Sequence, residues 1–157
     1  MKSDVLRSRR KMPTASKLVA GVMFAIFGYM LSQVLLYRVP TLGSTEVGPR
    51  FFAIVAFCFG WSKVGVAAEL SYTRAWASGL GSAIAAALTM VLLGAAHHVY
   101  RGMGYHAYKD VDGMLTAFMR KALEFAGHIF DPYIFVAIIA AGFIASTFAG
   151  FAGRLWR

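Results

Sequence analysis

The sequence predicts an all-α membrane protein with four transmembrane helices plus one amphipathic interfacial helix. Of the 157 residues, 59% are hydrophobic and 15% are charged, whereas soluble domains average about 45–50% and about 25%. Four long runs contain few charged residues and are long enough to cross a bilayer as helices. The chain has the length of one domain, so we expect a single membrane domain over residues 18–157.

The net charge of +9 is concentrated at the two ends of the chain. Residues 1–17 carry six basic residues against Asp4 alone, and Arg154 and Arg157 lie in the last four positions. Basic residues beside hydrophobic segments are typical of topology signals and of attraction to anionic lipid headgroups. We therefore expect the lipid bilayer as a partner and no nucleic acid, with residues 1–17 as a basic cytoplasmic N-terminal segment.

The first span is predicted over residues 18–37, an uncharged run of twenty residues. As an α-helix this run would rise about 30 Å, which matches the hydrocarbon thickness of a bilayer. The run is longer than the apolar region of a signal peptide, and no A-x-A cleavage pattern follows it. We therefore expect an uncleaved anchor.

The second span is predicted over residues 49–68, after a loop rich in helix-breaking residues. Pro49 suits the first turn of a helix, where its missing N–H costs nothing. Lys63 interrupts the apolar run, and we expect its long side chain to reach back to the membrane interface. A re-entrant or tilted short helix is the alternative, so the sequence leaves open whether this span crosses fully.

The third and fourth spans are predicted over residues 75–100 and 132–151, and both carry small residues four positions apart. These rows are Gly79, Ala83 and Ala87; Ser78, Ser82 and Ala86; and Gly142, Ser146 and Gly150. Small residues at this spacing let membrane helices approach closely. Such faces suit a compact bundle, and they equally suit contacts with a second copy of the chain or with another membrane protein.

An amphipathic helix is predicted over residues 114–130, between the third and fourth spans. Its apolar residues follow the three-and-four spacing of one helix face. The polar residues opposite are Arg120, Lys121, Glu124 and His128. We expect this helix to lie along the membrane surface or to cap the bundle. Asp131 and Pro132 suit the N-cap and the first position of the fourth span.

The positive-inside rule predicts the orientation of the chain. With four spans, both termini lie on the same side of the membrane. That side holds the basic N-terminal segment together with Lys63, Arg74 and Arg154, so we expect both termini in the cytoplasm. The segment 101–131 then faces the outside or the periplasm.

Candidate metal ligands are limited to four histidines near one face of the membrane. They are His97, His98, His106 and His128. Imidazoles with neighbouring carboxylates could hold a borderline metal, but their spacing matches no zinc pattern. The alternative is that these rings populate the membrane interface, where amphipathic rings are favoured.

The sequence contains no pattern typical of an enzyme. We find no nucleophile paired with a base, no phosphate-binding glycine loop and no dinucleotide fingerprint, and we expect neither catalytic residues nor a cofactor. Cys58 lies in a Phe-rich run without a basic neighbour, which predicts an inert thiol in the core. Proton-coupled exporters generally need an acidic residue inside a span, which this sequence lacks. The transporter interpretation depends only on Glu69 and Asp131, which lie at span ends.

Four short segments of the chain resemble one known family. They are Met12-Pro13-Thr14-Ala15-Ser16-Lys17-Leu18-Val19-Ala20, Gly60-Trp61, Asp131-Pro132 and Ala152-Gly153-Arg154-Leu155-Trp156-Arg157. These segments are similar to the TrgA-like family, bacterial membrane proteins named for their association with tellurite resistance. The likeness extends over residues 12–157, although the loop before the second span and residues 94–112 depart from it.

The resemblance implies a bacterial inner-membrane protein linked to the stress response and to resistance to tellurium oxyanions. It supplies no catalytic or ligand residue. Residues 1–11 precede the usual start of the family, so the sequence leaves both Met1 and Met12 open as the start, and a start at Met12 would make residues 1–11 an extension. We therefore expect a non-enzymatic membrane protein associated with tellurite resistance. The alternatives are a small oligomeric transporter or channel, and an accessory subunit of a larger membrane complex.

Overall fold

The computed structural model describes residues 14–38, 47–104 and 110–155, and within these ranges every regular element is a helix. In chain order the elements are α1 (Ala15–Arg38), α2 (Val47–Phe59), a π-helical turn (Gly60–Val64), α3 (Gly65–Ala68), α4 (Tyr72–Gly104), α5 (Val111–Ile129) and α6 (Pro132–Leu155).

Four segments are long and apolar enough to cross a membrane. They are Ala15–Tyr37, Gly48–Ala68, Tyr72–Gly104 and Pro132–Leu155. Together with the amphipathic α5 they confirm the predicted fold class. The first span begins three residues before the predicted start, and the third and fourth extend beyond the predicted ends. Helices lengthen in this way because hydropathy marks only the part of a helix that suits hydrocarbon, whereas backbone hydrogen bonding continues past it.

The spanning helices alternate in direction, so the bundle has two ends. We call the end where α1 and α4 begin and where α3 and α6 finish the terminal end. Contacts between Ser16, Gly65 and Gly153 define it. The opposite end, where α1 finishes and α6 begins, is the distal end.

The second span is one uninterrupted helix of 21 residues, formed by most of α2, the π-helical turn and α3. Its continuity favours a full crossing over a re-entrant segment, which would need a reversal of the chain. In the π-helical turn the N–H of Gly65 donates to the carbonyl of Gly60. This wide turn brings both glycines towards α1, whereas ideal α geometry would set them about two-fifths of a turn apart.

The core of the bundle consists mainly of small residues. A Cβ added to Gly79 of α4 would lie 2.6 Å from the carbonyl oxygen of Gly142 in α6, so only glycine permits this approach. Ser146 lies in the same contact, and its hydroxyl donates to the carbonyl of Gly142. The small-residue rows at positions 79 and 142 are thus buried within the chain. Contacts with another chain would need a different surface.

The amphipathic helix α5 packs beside the second half of α4. Phe125 is buried against Val91 and Ala95, where it forms a core separate from that of the four spans. The structure therefore supports the packed arrangement that the sequence left open. Part of the apolar face is not covered by any described residue, and its exposed residues include Val111, Leu115, Met119 and Leu123. An uncovered stripe of this kind suits a helix at the membrane surface.

The helix starts near the loops have local causes in the sequence. The N–H of Tyr133 donates to Oδ1 of Asp131 over 3.0 Å, which confirms Asp131 as the N-cap of α6. Ser71 plays a similar part for α4, since its Oγ accepts the N–H of Arg74 over 3.3 Å. The 33 residues of α4 correspond to about 50 Å of helix, roughly 20 Å more than the hydrocarbon thickness.

Candidate functional site

The terminal end carries a group of interacting polar side chains, which we call the terminal polar cluster. Its members are Thr14, Ser16 and Glu69, and the buried Lys17 follows Ser16 directly in the sequence. The hydroxyl of Thr14 donates to Oε1 of Glu69. Ser16 Oγ lies 3.3 Å from that same oxygen and 3.3 Å from the carbonyl oxygen of Gly65, so its proton has two acceptors within reach. Hydrogen bonds thus tie the start of α1 to the end of the second span.

Lys17 is the largest fully buried side chain of the described residues, with 1% of its surface exposed. Gly65 provides the space, because a Cβ at that position would lie 2.7 Å from Lys17 Cγ. Burial of an ionisable side chain is costly in a membrane protein, and such residues usually have a specific role. The sequence predicted only a basic charge at the interface here. The structure adds that α3 covers the side chain.

The end of α6 closes the terminal polar cluster from the other side. A Cβ at Gly153 would lie 3.3 Å from Ser16 Cβ, so the last turns of the chain pack on the first turn of α1. The guanidinium carbon of Arg154 lies 3.9 Å from the ring centroid of Tyr72, in cation–π geometry. Four helix ends therefore meet at one place, and they come from three distant parts of the sequence: the start of α1, the connection from α3 to α4 and the end of α6.

The hydrogen bonds of this cluster stabilise the packing of helices against one another. The Glu69 carboxylate accepts the hydroxyl of Thr14 and lies within reach of that of Ser16, and such bonds hold membrane helices together. Sequence reasoning missed this arrangement. Two signals pointed to it: the hydroxyl residues Thr14 and Ser16 directly before an apolar run, where N-cap residues occur, and Glu69 at the end of the second span.

An apolar cavity of about 180 Å³ lies between the spanning helices, around the middle of the bundle. The side chains that line it include Phe24, Leu31, Ala86, Met90 and Ile138, and all the described lining residues are apolar or glycine. Such a lining offers no hydrogen bond to a hydrated ion, and bringing a charge into it would cost several kcal/mol.

The four predicted histidines are only partly brought together. His97 and His98 are exposed near the end of α4, and His128 is half-buried near the end of α5. His106 lies outside the described residues. Among the residues that the structure does describe, no three His, Cys, Asp or Glu side chains are grouped so as to hold a metal ion. The four-histidine metal site therefore stays a prediction.

The distal end carries an open groove of about 530 Å³ between α4 and α5, which we call the distal groove. Its lining residues are His98, Gly113, Thr116, Ala117, Arg120, Lys121 and Glu124. Lys121 Nζ lies 2.8 Å from Oε2 of Glu124. The hydrogen bond from Lys121 lowers the pKa of the Glu124 carboxyl, and the nearby charges of His128 and Arg120 lower it further.

The predicted core position of Cys58 is wrong. Its side chain is exposed on the surface of α2, whereas Ala56 is buried with 2% of its surface exposed. Residues two positions apart point about 200° away from each other around a helix, so only one of this pair can face the core. The Phe-rich composition of this segment could not indicate which face is buried.

No family model, curated protein or solved structure matches the chain.

Proposed function

We propose that this chain is an integral membrane protein of the TrgA-like kind, which supports bacterial resistance to tellurium oxyanions without catalysing a reaction. The observation that carries the proposal is the contact between Ser16 and Gly153. These residues belong to the two segments that most specifically resemble the family, at opposite ends of the sequence. The two segments that resemble the family therefore lie side by side at the terminal end of the bundle.

The proposed location is the bacterial inner membrane, with the terminal end in the cytoplasm. Lys17, Lys63, Arg74 and Arg154 lie towards this end. Together with the basic N-terminal segment they support this orientation by the positive-inside rule. The distal groove then faces the periplasm.

A non-transport role is supported by the apolar cavity between the spans. A small oligomeric transporter or channel would need polar or ionisable groups facing a water-filled space at mid-membrane. The described residues around this cavity offer apolar surface instead. The protein would then act by limiting oxyanion entry through the membrane or by stabilising an envelope partner as an accessory subunit.

The proposal is tested by measuring cell-associated tellurium and survival after brief tellurite exposure, in cells with and without the chain. Lower tellurium in the cells that contain the chain supports an effect on entry. Equal tellurium with better survival supports a partner-stabilising role, and crosslinking from α5 would then identify the partner. Equal survival in both strains contradicts a role in tellurite resistance.

A matched pair of variants links the phenotype to the terminal polar cluster. Glu69→Gln replaces the carboxylate that accepts the Thr14 and Ser16 hydroxyls, whereas Glu124→Gln makes the same chemical change at the distal end. We expect Glu69→Gln to lower survival at equal membrane abundance and Glu124→Gln to leave it unchanged. Equal survival of both variants would show that the terminal polar cluster is not needed for survival in tellurite.

A further inference from the structure

We propose that the distal groove binds a phosphate-type oxyanion. The proposal does not rest on a role in tellurite resistance, because it follows from the side chains on the groove walls. The source of the anion is either a free oxyanion in solution or the phosphate of a lipid headgroup, and the two sources share the same binding chemistry.

The groove contains hydrogen-bond donors that no other described residue uses. Arg120, Thr116 and His98 make no hydrogen bond or ion pair within residues 14–38, 47–104 and 110–155. Arg120 and Thr116 are exposed on α5, and His98 is exposed on α4. A guanidinium group has five donors in a planar fork, which match the oxygens of a phosphate better than any other side chain does.

The charge balance of the groove is positive. Glu124 is the only acid among the described lining residues, and this carboxylate is already bonded to Lys121 over 2.8 Å. The lowered pKa of Glu124 keeps the carboxylate ionised and the pair intact. Arg120 then supplies a positive charge that no acid of the described residues offsets within 4 Å.

The four-residue spacing of the lining residues on α5 keeps the groove open. Thr116, Arg120 and Glu124 follow one another at four-residue intervals on α5, and so do Gly113, Ala117 and Lys121. Residues at this spacing lie in rows along one side of a helix. Gly113 and Ala117 of the second row leave space between the two helices, and a Cβ at Gly113 would meet nothing within 4 Å.

The position of the groove suits an anion at the membrane interface. The groove adjoins the end of the third span, and the exposed apolar stripe of α5 lies on the same helix beside it. A helix with an apolar stripe next to basic residues is typical of the headgroup region, where anionic phosphates are concentrated. The volume of about 530 Å³ admits a phosphate with its organic substituent.

The test uses the full chain purified in detergent micelles and two probes. Inorganic phosphate is titrated by calorimetry, and retention of phosphatidylglycerol or phosphatidylcholine is counted by native mass spectrometry. Arg120→Gln removes the unpaired fork from the groove. Arg50→Gln is the matched control, since Arg50 is an exposed residue near the start of α2 at the same end of the bundle but outside the groove.

We expect Arg120→Gln to weaken binding of the anionic probe about tenfold, because one charge-assisted hydrogen bond is lost. Arg50→Gln should bind as the unmodified chain does. Phosphate binding identifies a free-anion site, and selective retention of phosphatidylglycerol without phosphate binding identifies a headgroup site. Equal weakening by both variants indicates attraction by overall charge and overturns the proposal, as does failure of both probes to bind.

The variants must first be shown to be folded, by their thermal unfolding in the same detergent. Arg120→Lys provides a second comparison, because it retains the charge but loses the planar fork. It should bind more weakly than the unmodified chain and more tightly than Arg120→Gln. Binding of Arg120→Lys at the full affinity would assign recognition to charge alone, which contradicts the hydrogen-bonding geometry proposed here.

Discussion

The two ends of this bundle are built in opposite ways. At the terminal end, polar residues that lie far apart in the sequence are buried against one another, as Ser16 is against Gly65 and Gly153. At the distal end, α4 and α5 are neighbours in the sequence and form a hairpin whose charged side chains face outward. The first end joins distant parts of the chain, and the second carries donors that have no partner among the described residues.

The space around the glycines also differs between the terminal end and the distal end. A Cβ at Gly60 or Gly65 would lie within 3 Å of atoms of α1, so these positions permit no side chain without movement of a helix. Cβ atoms at Gly104, Gly113 and Gly127 would meet nothing within 4 Å. Substitution at the terminal end should therefore alter the fold, while substitution at the distal end should alter surface properties.

The largest effect should come from the single buried anchor of the distal hairpin. Phe125→Ala removes a ring that is 5% exposed and packed on α4, and such truncations cost about 3–5 kcal/mol. We expect faster hydrogen exchange across α5 with little change in α1. Leu123→Ala, at a position that is 69% exposed, is the control and should change neither. Uniform destabilisation by Phe125→Ala would show that the two ends are not independent.

A glycine pair tests the steric difference between the ends. Gly65→Ala forces a methyl group into the backbone of α1 at Lys17, and overpacking of this kind costs about 1–3 kcal/mol. Gly127→Ala, in open space on α5, should instead stabilise its helix by about 0.5–1 kcal/mol. Thermal unfolding in micelles measures both. Equal responses would contradict the tight contact between α1 and α3.

The hydrogen bonds of the terminal polar cluster should have a smaller effect. Ser16→Ala removes a buried hydroxyl that reaches both Glu69 and the carbonyl of Gly65, at a cost of about 1 kcal/mol. Ser62→Ala is the control, because its exposed hydroxyl bonds only to the carbonyl of Cys58, within its own helix. A loss of thermal stability confined to Ser16→Ala is the expected result. An equal loss in both variants would show that the hydrogen bonds of the cluster stabilise the fold no more than a bond within one helix does.

The smallest effect should be the pH dependence of the Lys121–Glu124 pair. Because the pKa of Glu124 is lowered in the folded chain, the pair contributes stability above the ordinary carboxyl pKa. That contribution is lost as the pH falls through the lowered value. Both side chains are solvent-accessible, so water screens the interaction and leaves a few tenths of a kcal/mol. Acid titration of α5 unfolding in the unmodified chain and in Glu124→Gln measures it. A difference in stability between the two chains that does not change with pH would contradict the Lys121–Glu124 pair.

Prediction of the fold succeeded where one local rule decides the outcome. The four spans follow from the length of their apolar runs, since the bilayer requires about 20 apolar residues for each crossing. Asp131 caps α6 because its side chain needs only a backbone N–H two positions away. The amphipathic α5 follows from its own periodicity. None of these features depends on a partner elsewhere in the chain.

Prediction failed where a face had to be matched with a partner. Composition could not show that Cys58 faces outward, because both faces of α2 are apolar. The small-residue rows in α4 and α6 suited contacts within or between chains, and only the approach of Gly79 to Gly142 favoured the first. Lipid is as apolar as the helix surfaces themselves, so hydropathy cannot indicate which helix packs against which.

The sequence by itself determined the number of spans, the amphipathic character of α5 and the N-cap of α6 at Asp131. These depend on hydrocarbon thickness and on hydrogen bonds between near neighbours along the chain. Only the tertiary structure decided that Lys17 is buried beside Gly65, that Ser16 meets Glu69 and Gly153, and that Arg120 faces a groove shared with His98. Those relations join residues distant in sequence, and their energies depend on close packing and burial that exist only once the helices have docked.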